Sequence, residues 1–277
     1  MTLARLKTQV TGGPELARRA AAVLGVVGAC LTLAAVAGAQ VLETETARLR
    51  QKGAVQLGGN YEYQTSAEGS ESAIPFTFEY GIVDRLELVV EPVARTRIQP
   101  NTGPHASGAG DTEVTLQYLL RREGRWPALA LGGEVKFPTA HDSLIGTGKT
   151  DFAGILIASK KLGRVDTHLN LSYTIVGQPE GTKLSNIVGG ALAVMVPLGH
   201  RFRAFSEVLA STSTGAGEGD ALPVIASTIV PEAAGEELVG TVGAGIYIHQ
   251  KWFLSLGVSY DNTHAVLWRP GITFRSR

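Results

Sequence analysis

From about residue 53 to the carboxy terminus the chain alternates apolar and polar residues with a period of two, and this constrains its fold more than any other feature. A β-strand sends successive side chains to opposite faces, so such a pattern commits the chain to strands with one apolar and one polar side. In the first strand Val55, Leu57, Tyr61 and Tyr63 oppose Gln56, Asn60, Glu62 and Gln64. The second sets Ile74, Phe76, Phe78 and Tyr80 against Thr77 and Glu79. The third sets Leu86, Leu88, Val90 and Ala94 against Glu87, Glu91, Arg95 and Arg97, and the fourth Val114, Leu116, Tyr118 and Leu120 against Glu113, Thr115, Gln117 and Arg121. In the fifth, Leu129, Leu131, Val135 and Phe137 face away from Glu134 and Lys136. The seventh alternates Val165, Leu169, Leu171, Tyr173 and Ile175 with Asp166, His168, Asn170, Ser172 and Thr174. Weaker strands at 151–160, 186–197, 202–212 (with Glu207), 238–249, 252–261 and 265–275 complete a set of about twelve. Helical periodicity is confined to a short stretch near Pro231–Glu237, so the class is all-β.

The connections point to the architecture. Short links at Gly81–Asp84, Arg122–Arg125, Lys161–Arg164, Leu198–Arg201 and His249–Lys251 alternate with mostly longer ones at Thr65–Ser72, Gln99–Asp111, Thr139–Thr150, Gly177–Ser185 and Ser213–Glu236. An even number of strands with tight turns at one end and long loops at the other is the pattern of a transmembrane antiparallel β-barrel, whose closure satisfies every backbone group within the bilayer. A soluble β-sandwich is the competing fold, because alternation alone fits both. Trp126 and Trp252 open strands after short turns while Tyr80 and Phe274 close strands at the same end, as an interfacial girdle requires. Val266, Trp268, Ile272 and Phe274 share a face of the last strand, as in the carboxy-terminal signal read by the barrel-assembly machinery, although Arg275-Ser276-Arg277 follow the aromatic. Pro92 and Pro270 fall within proposed strands, where local bulges are expected. The 34 Gly read as tight turns and small-residue positions on curved strands.

The amino terminus is of another kind. Arg5, Lys7, Arg18 and Arg19 precede an apolar run from Ala20 to Val36 and the small residues Ala37-Gly38-Ala39, the layout of a secretory signal peptide cut after residue 39. Val27-Gly28-Ala29-Cys30 leaves lipidation at Cys30 as an alternative; otherwise the exported chain has no cysteine. Residues 40–52 are then a short periplasmic lead-in and 53–277 the barrel domain. Of 25 basic and 25 acidic residues the leader takes four and one, leaving a mildly acidic mature chain, the opposite of what nucleic-acid phosphates attract. Later apolar runs are too short to span a bilayer as helices, for which about 18 residues are needed.

The polar faces supply the candidate lumen residues: Glu62, Glu79, Glu87, Glu91, Arg95, Arg97, Glu113, Gln117, Glu134, Lys136, Asp166, His168, Asn170 and Glu207. Mixed charge in a narrow barrel reads either as a hydrogen-bonded filling or as a charge-lined constriction that filters solutes. His168, Asn170 and Ser172 share one face, but His168 and Ser172 lie about 13 Å apart along the strand, too far for a nucleophile–base pair. Gly215–Asp220 lacks the Lys-Ser/Thr and the helix of a phosphate loop. No enzyme activity, metal or organic cofactor is expected.

Gly108–Thr112, Leu131–Thr139 (LGGEVKFPT), Gly148–Asp151, Ser159–Gly163 and His168–Tyr173 occur in an order that resembles a family of Gram-negative outer-membrane proteins grouped under the MetA pathway of phenol degradation. The likeness extends from about residue 53 to 274. It implies a transporter-like barrel in outer-membrane lipid, tied to aromatic catabolism, that lets small hydrophobic or aromatic compounds pass. The alternatives are a structural or interaction barrel filled by its own side chains and, third, a soluble periplasmic sandwich.

Overall fold

The computed structural model describes residues 42–181, 183–212 and 237–276. The expected signal peptide, Cys30, the Gly215–Asp220 loop and nearly all of the short helical stretch lie outside them; Glu237, at the end of that stretch, opens a strand. All regular structure is β: β1 (Val55–Asn60), β2 (Glu62–Thr65), β3 (Gly69–Val83), β4 (Leu86–Pro100), β5 (Ala106–Gly108), β6 (Thr112–Arg121), β7 (Ala128–Phe137), β8 (Asp151–Leu162), β9 (Val165–Ile175), β10 (Ile187–Leu198), β11 (Phe202–Ser211), β12 (Glu237–His249), β13 (Trp252–Asp261) and β14 (Val266–Arg275).

Two pairs of segments are single strands with a gap. Asn60 pairs with Gly271 and Tyr63 with Trp268, one unbroken register across β1 and β2. Tyr61 in the gap donates its N–H to the Pro270 carbonyl at 3.0 Å, but Pro270 has no N–H to return. In the same way β5 and β6 keep one register along β4, from Thr96 opposite Gly108 to Leu86 opposite Tyr118. Twelve antiparallel strands result, each paired with its sequence neighbour, and β14 pairs with β1 and β2 to close the barrel. Closure excludes the two-sheet sandwich. Proline therefore acts differently at its two expected sites: Pro270 interrupts a partner without shifting register, while the shift falls just beyond Pro92, between Val93 and Arg95.

That shift leaves Ala94 as an extra residue and inverts the facing of all that follows it on β4. Glu87, Val89 and Glu91 point inward before it, and Thr96, 4% exposed, points inward after it. Arg95 and Arg97, expected in the lumen with Glu87 and Glu91, are instead on the exposed outer face, Arg95 reaching Ser107 at 3.4 Å.

The outer surface is apolar. Leu116, Leu131, Leu156, Leu171, Leu192, Leu256 and Ile272 are each between 41 and 50% exposed, which would be costly in water and is favourable in lipid. Strands of ten residues rising about 3.4 Å each at a tilt near 40° cover roughly 25 Å, the height of the hydrocarbon-facing band. At the end with short turns Trp252 packs on Phe274, ring centroids 4.9 Å apart, and exposed Trp126 and Tyr80 lie at the same end of the barrel. Tyr63, Phe137, Phe152, Tyr173, Tyr260 and Trp268 form an exposed counterpart near the other end. Arg275 does not displace Phe274 from the outer face, because it turns inward and its Nε donates to Gln56 Oε1 at 2.5 Å. Leu171→Arg, in the middle of β9, is expected to cost about 2–4 kcal/mol of folding free energy in vesicles by denaturant titration; a polar Thr174→Ser change on the inner face should cost far less.

The link asymmetry is present, but two of the expected long links are partly strand. β3 begins at Gly69 and β4 continues to Pro100, so this hairpin stands beyond the band. Gly163, at φ 64°, sits in the two-residue link between β8 and β9, where a primed turn needs a residue of positive φ. On β12, a Cβ at Gly243 would lie 2.2 Å from the Phe205 ring and one at Gly245 2.1 Å from the Phe253 ring. These glycines let two aromatic rings lie against the inner wall.

Candidate functional site

The lumen is occupied by the chain itself. Residues 42–52, expected as a periplasmic lead-in, run inside the barrel from Leu42 down to the short-turn rim, where Lys52 N–H reaches Asp84 Oδ1 at 3.4 Å and Gly53 N–H donates to the Gly81 carbonyl at 2.7 Å. An irregular segment at membrane depth needs partners for its backbone, and inward-facing side chains supply them. Glu207 Oε2 accepts from Glu43 N–H at 3.2 Å, while its Oε1 accepts from Thr44 N–H at 2.7 Å and the Thr44 hydroxyl at 2.5 Å. Asn170 both accepts from Glu45 N–H at 2.6 Å and donates to the Glu45 carbonyl at 3.0 Å. Ala47 N–H donates to Ser159 Oγ at 2.8 Å, and Arg50 N–H to Glu87 Oε2 at 2.5 Å.

Ion pairs fix both ends of the segment. Near the rim, Arg48 meets Asp166 at 2.6 Å and Glu123 at 2.7 Å, and Arg50 meets Glu79 at 2.7 Å. Deeper in, Arg269 on β14 holds Glu43 at 2.5 Å and Glu62 at 2.7 Å, its own side chain 7% exposed. Apolar contacts accompany these pairs. Leu42 packs with Ala193, Met195, Phe205 and Phe253, and Ala47 with Ala128, Ala130, Ile155 and Ile157. The inner wall thus carries two apolar patches that the segment covers.

The remaining sequence candidates divide by partner. Glu79 and Gln56 are hydrogen-bonded to each other, Glu91 accepts from the Thr77 hydroxyl at 2.9 Å, and Glu134 accepts from the Thr115 hydroxyl at 3.0 Å. Lys136 pairs with Asp151 at 2.6 Å and lies opposite buried Glu113 in the ladder; Gln117 is also buried. His168 faces Ser159 across the β8–β9 ladder, Oγ to Nδ1 at 2.8 Å, with Asp166 3.7 Å from Nε2. Ser159 is 1% exposed and covered by Ala47, so this Ser–His contact belongs to the seat of the segment.

Sequence reasoning missed Glu43, Thr44, Glu45, Arg48, Arg50, Ser159 and Arg269. For Arg269 a signal was present, since the apolar face of the last strand leaves it pointing inward. The only signal for the segment was its dense charge, Glu43-Thr44-Glu45-Thr46-Ala47-Arg48-Leu49-Arg50, unusual for a plain connector.

The off-strand acids respond to this setting. Burial pushes the Glu45 carboxyl up to about 7, helped by the Glu79 charge and opposed by Arg50. Burial likewise raises Glu43, against the pull of Arg269. At the rim, slight burial of Glu123 is outweighed by the Lys161 N–H and Arg48, which hold it below the usual carboxylate range. Beside the segment, toward β1, β3 and β4, a cavity of ≈ 90 Å³ remains, bordered by Leu42, Glu45, Thr77, Glu91, Met195 and Arg269 among others. Among the described residues no group of three or more His, Cys, Asp or Glu is placed to hold a metal ion.

No protein-family model matches the chain, and no curated protein matches it. Solved structures do. An outer-membrane channel from Pseudomonas putida F1 is 13% identical and superposes with a TM-score of 0.61 over 87% of this chain and 99% of that one. The NanC porin is 9% identical with a TM-score of 0.54, over 79% of this chain and 98% of its own. The KdgM porin, in complex with disordered oligogalacturonate, is 8% identical with a TM-score of 0.51, over 78% and 98%. At such identities the likeness is one of fold, and that fold is the barrel of outer-membrane channels.

Proposed function

We propose that this chain is a channel of the Gram-negative outer membrane, closed at rest by residues 42–52, that lets small hydrophobic or aromatic compounds pass once the segment is displaced. One observation carries the reading: the lumen is filled by a strap tethered to the wall at the rim and held elsewhere by reversible hydrogen bonds and ion pairs. A wall built only to be solid needs no separate strap. The class of solute is supported by the two apolar patches beneath the strap and by the resemblance to the phenol-degradation family. In this reading residues 1–39 direct export and the assembly machinery inserts the barrel into outer-membrane lipid.

A second reading, a structural or interaction barrel without transport, is favoured by the density of bonds to the segment. Liposomes containing the barrel separate the two. Influx of labelled phenylalanine above protein-free vesicles, and faster than that of arabinose, is expected once the segment is displaced. Absence of influx for both solutes in the displaced state rejects transport.

A further inference from the structure

The charges facing the ≈ 90 Å³ cavity do not balance locally. Arg269 is engaged by Glu43 and Glu62, and Arg50 by Glu79 and Glu87. Glu45 on the segment and Glu91 on β4 border the same cavity, and neither has a Lys or Arg nitrogen at ion-pairing distance among the described residues. Glu91 is 9% exposed; its Oε1 takes the Thr77 hydroxyl, while its Oε2 is buried without a hydrogen-bond partner. A buried carboxylate oxygen left unbonded is costly, and a cationic donor at that position removes the cost.

The lining also identifies the kind of cation. No set of three or more metal-ligating acids or histidines is assembled among the described residues, and a hard divalent ion takes six or more oxygens. Leu42 and Met195 border the cavity alongside the two carboxylates, offering apolar surface that a bare ion would not use. We infer that the lumen binds a small organic ammonium ion, its charge between Glu45 and Glu91 and its apolar body against Leu42 and Met195. This deepens the channel reading and rests on it only in requiring that solutes reach the lumen. Because the ligand bridges strap and wall, it binds the docked strap in preference to the displaced one, and by linkage it holds the channel shut.

Proton and ligand compete at Glu45, which burial raises to about 7. Glu79 and Glu134 also raise it, while a hydrogen bond from Gln117 and the charge of Arg50 lower it; Glu91 is faced by Thr77, Glu43, Glu45 and Glu134. Glu45 is mostly protonated at pH 6 and mostly ionised at pH 8, so affinity for a cation rises over that interval.

The test is calorimetric titration of the folded full-length barrel in detergent with benzylammonium, beside benzyl alcohol, benzoate and Ca²⁺. Benzylammonium should bind, with benzyl alcohol and benzoate weaker by at least about tenfold. Glu91→Gln and Glu45→Gln should each weaken it by about tenfold while heat-modifiable gel mobility stays unchanged. Undetectable benzylammonium binding, equal binding of benzyl alcohol, displacement by equimolar Ca²⁺, or unchanged affinity in both variants overturns the inference. Conductance of the barrel lacking its strap judges the channel reading separately, so the two fail independently.

Discussion

Deleting residues 42–50 raises single-channel conductance in planar bilayers by at least about tenfold. The expectation follows from the size of the barrel. Twelve strands spaced about 4.8 Å apart and tilted near 40° close on a backbone radius of about 12 Å, which leaves an aqueous bore once side chains are subtracted. In the intact chain that bore holds the strap, with Leu42 packed on β10, β11 and β13 and Ala47 on β7 and β8. Removing it uncovers Glu207, Asp166 and Glu79, all able to hydrogen-bond to entering water, so the lumen fills without an unsatisfied polar group. The backbone ladder does not include the strap and should persist, as heat-modifiable mobility would verify. A folded barrel whose conductance is unchanged by the deletion would mean that the wall's own side chains close the lumen.

Arg269→Met is expected to release the strap without shortening it. Arg269 joins Glu43 of the strap to Glu62 of the wall, all three largely buried. Removing one partner of a buried ion pair costs about 3–5 kcal/mol, because the remaining carboxylates are left unpaired. The strap can escape that cost by leaving, whereas Glu62 can escape it only by hydration after the strap has gone. A shift of this size corresponds to a change of roughly two to four orders of magnitude in the opening equilibrium. The measurement is chemical: Cys30 is the single cysteine of the sequence, so Cys30→Ser combined with Leu42→Cys leaves one thiol, at a position buried in the lumen. Maleimide labelling of that thiol should accelerate accordingly in the Arg269→Met background and be slow with Arg269 present. Equal labelling rates would show that the pair does not hold the strap.

How far the candidate site could be read from the chain differs by residue. Glu87, Glu91, Asp166, His168, Asn170 and Glu207 are buried on the inner face, where the period of two alone puts them. Arg95 and Arg97 follow the same local pattern and lie outside, because one extra residue at Ala94 reverses the facing of everything beyond it. Such a bulge depends on the pairing of Ile74 and Pro75 across the ladder, not on the residues that it turns over. Ser159 was missed for a similar reason: its contact with His168 exists only in the register that sets β8 against β9.

The alternation and the order of turns determined the strands, their apolar outer face and closure into a barrel, since these follow from side-chain periodicity and from the need to pair every backbone group. Only the tertiary structure decided what fills the interior. A polar inner face offers hydrogen bonds without naming who takes them, and the charged stretch from Glu43 to Arg50 has no period of its own to place it. Its position inside the lumen results from long-range partners on β3, β4, β8, β9, β11 and β14, which only the closed barrel brings within reach.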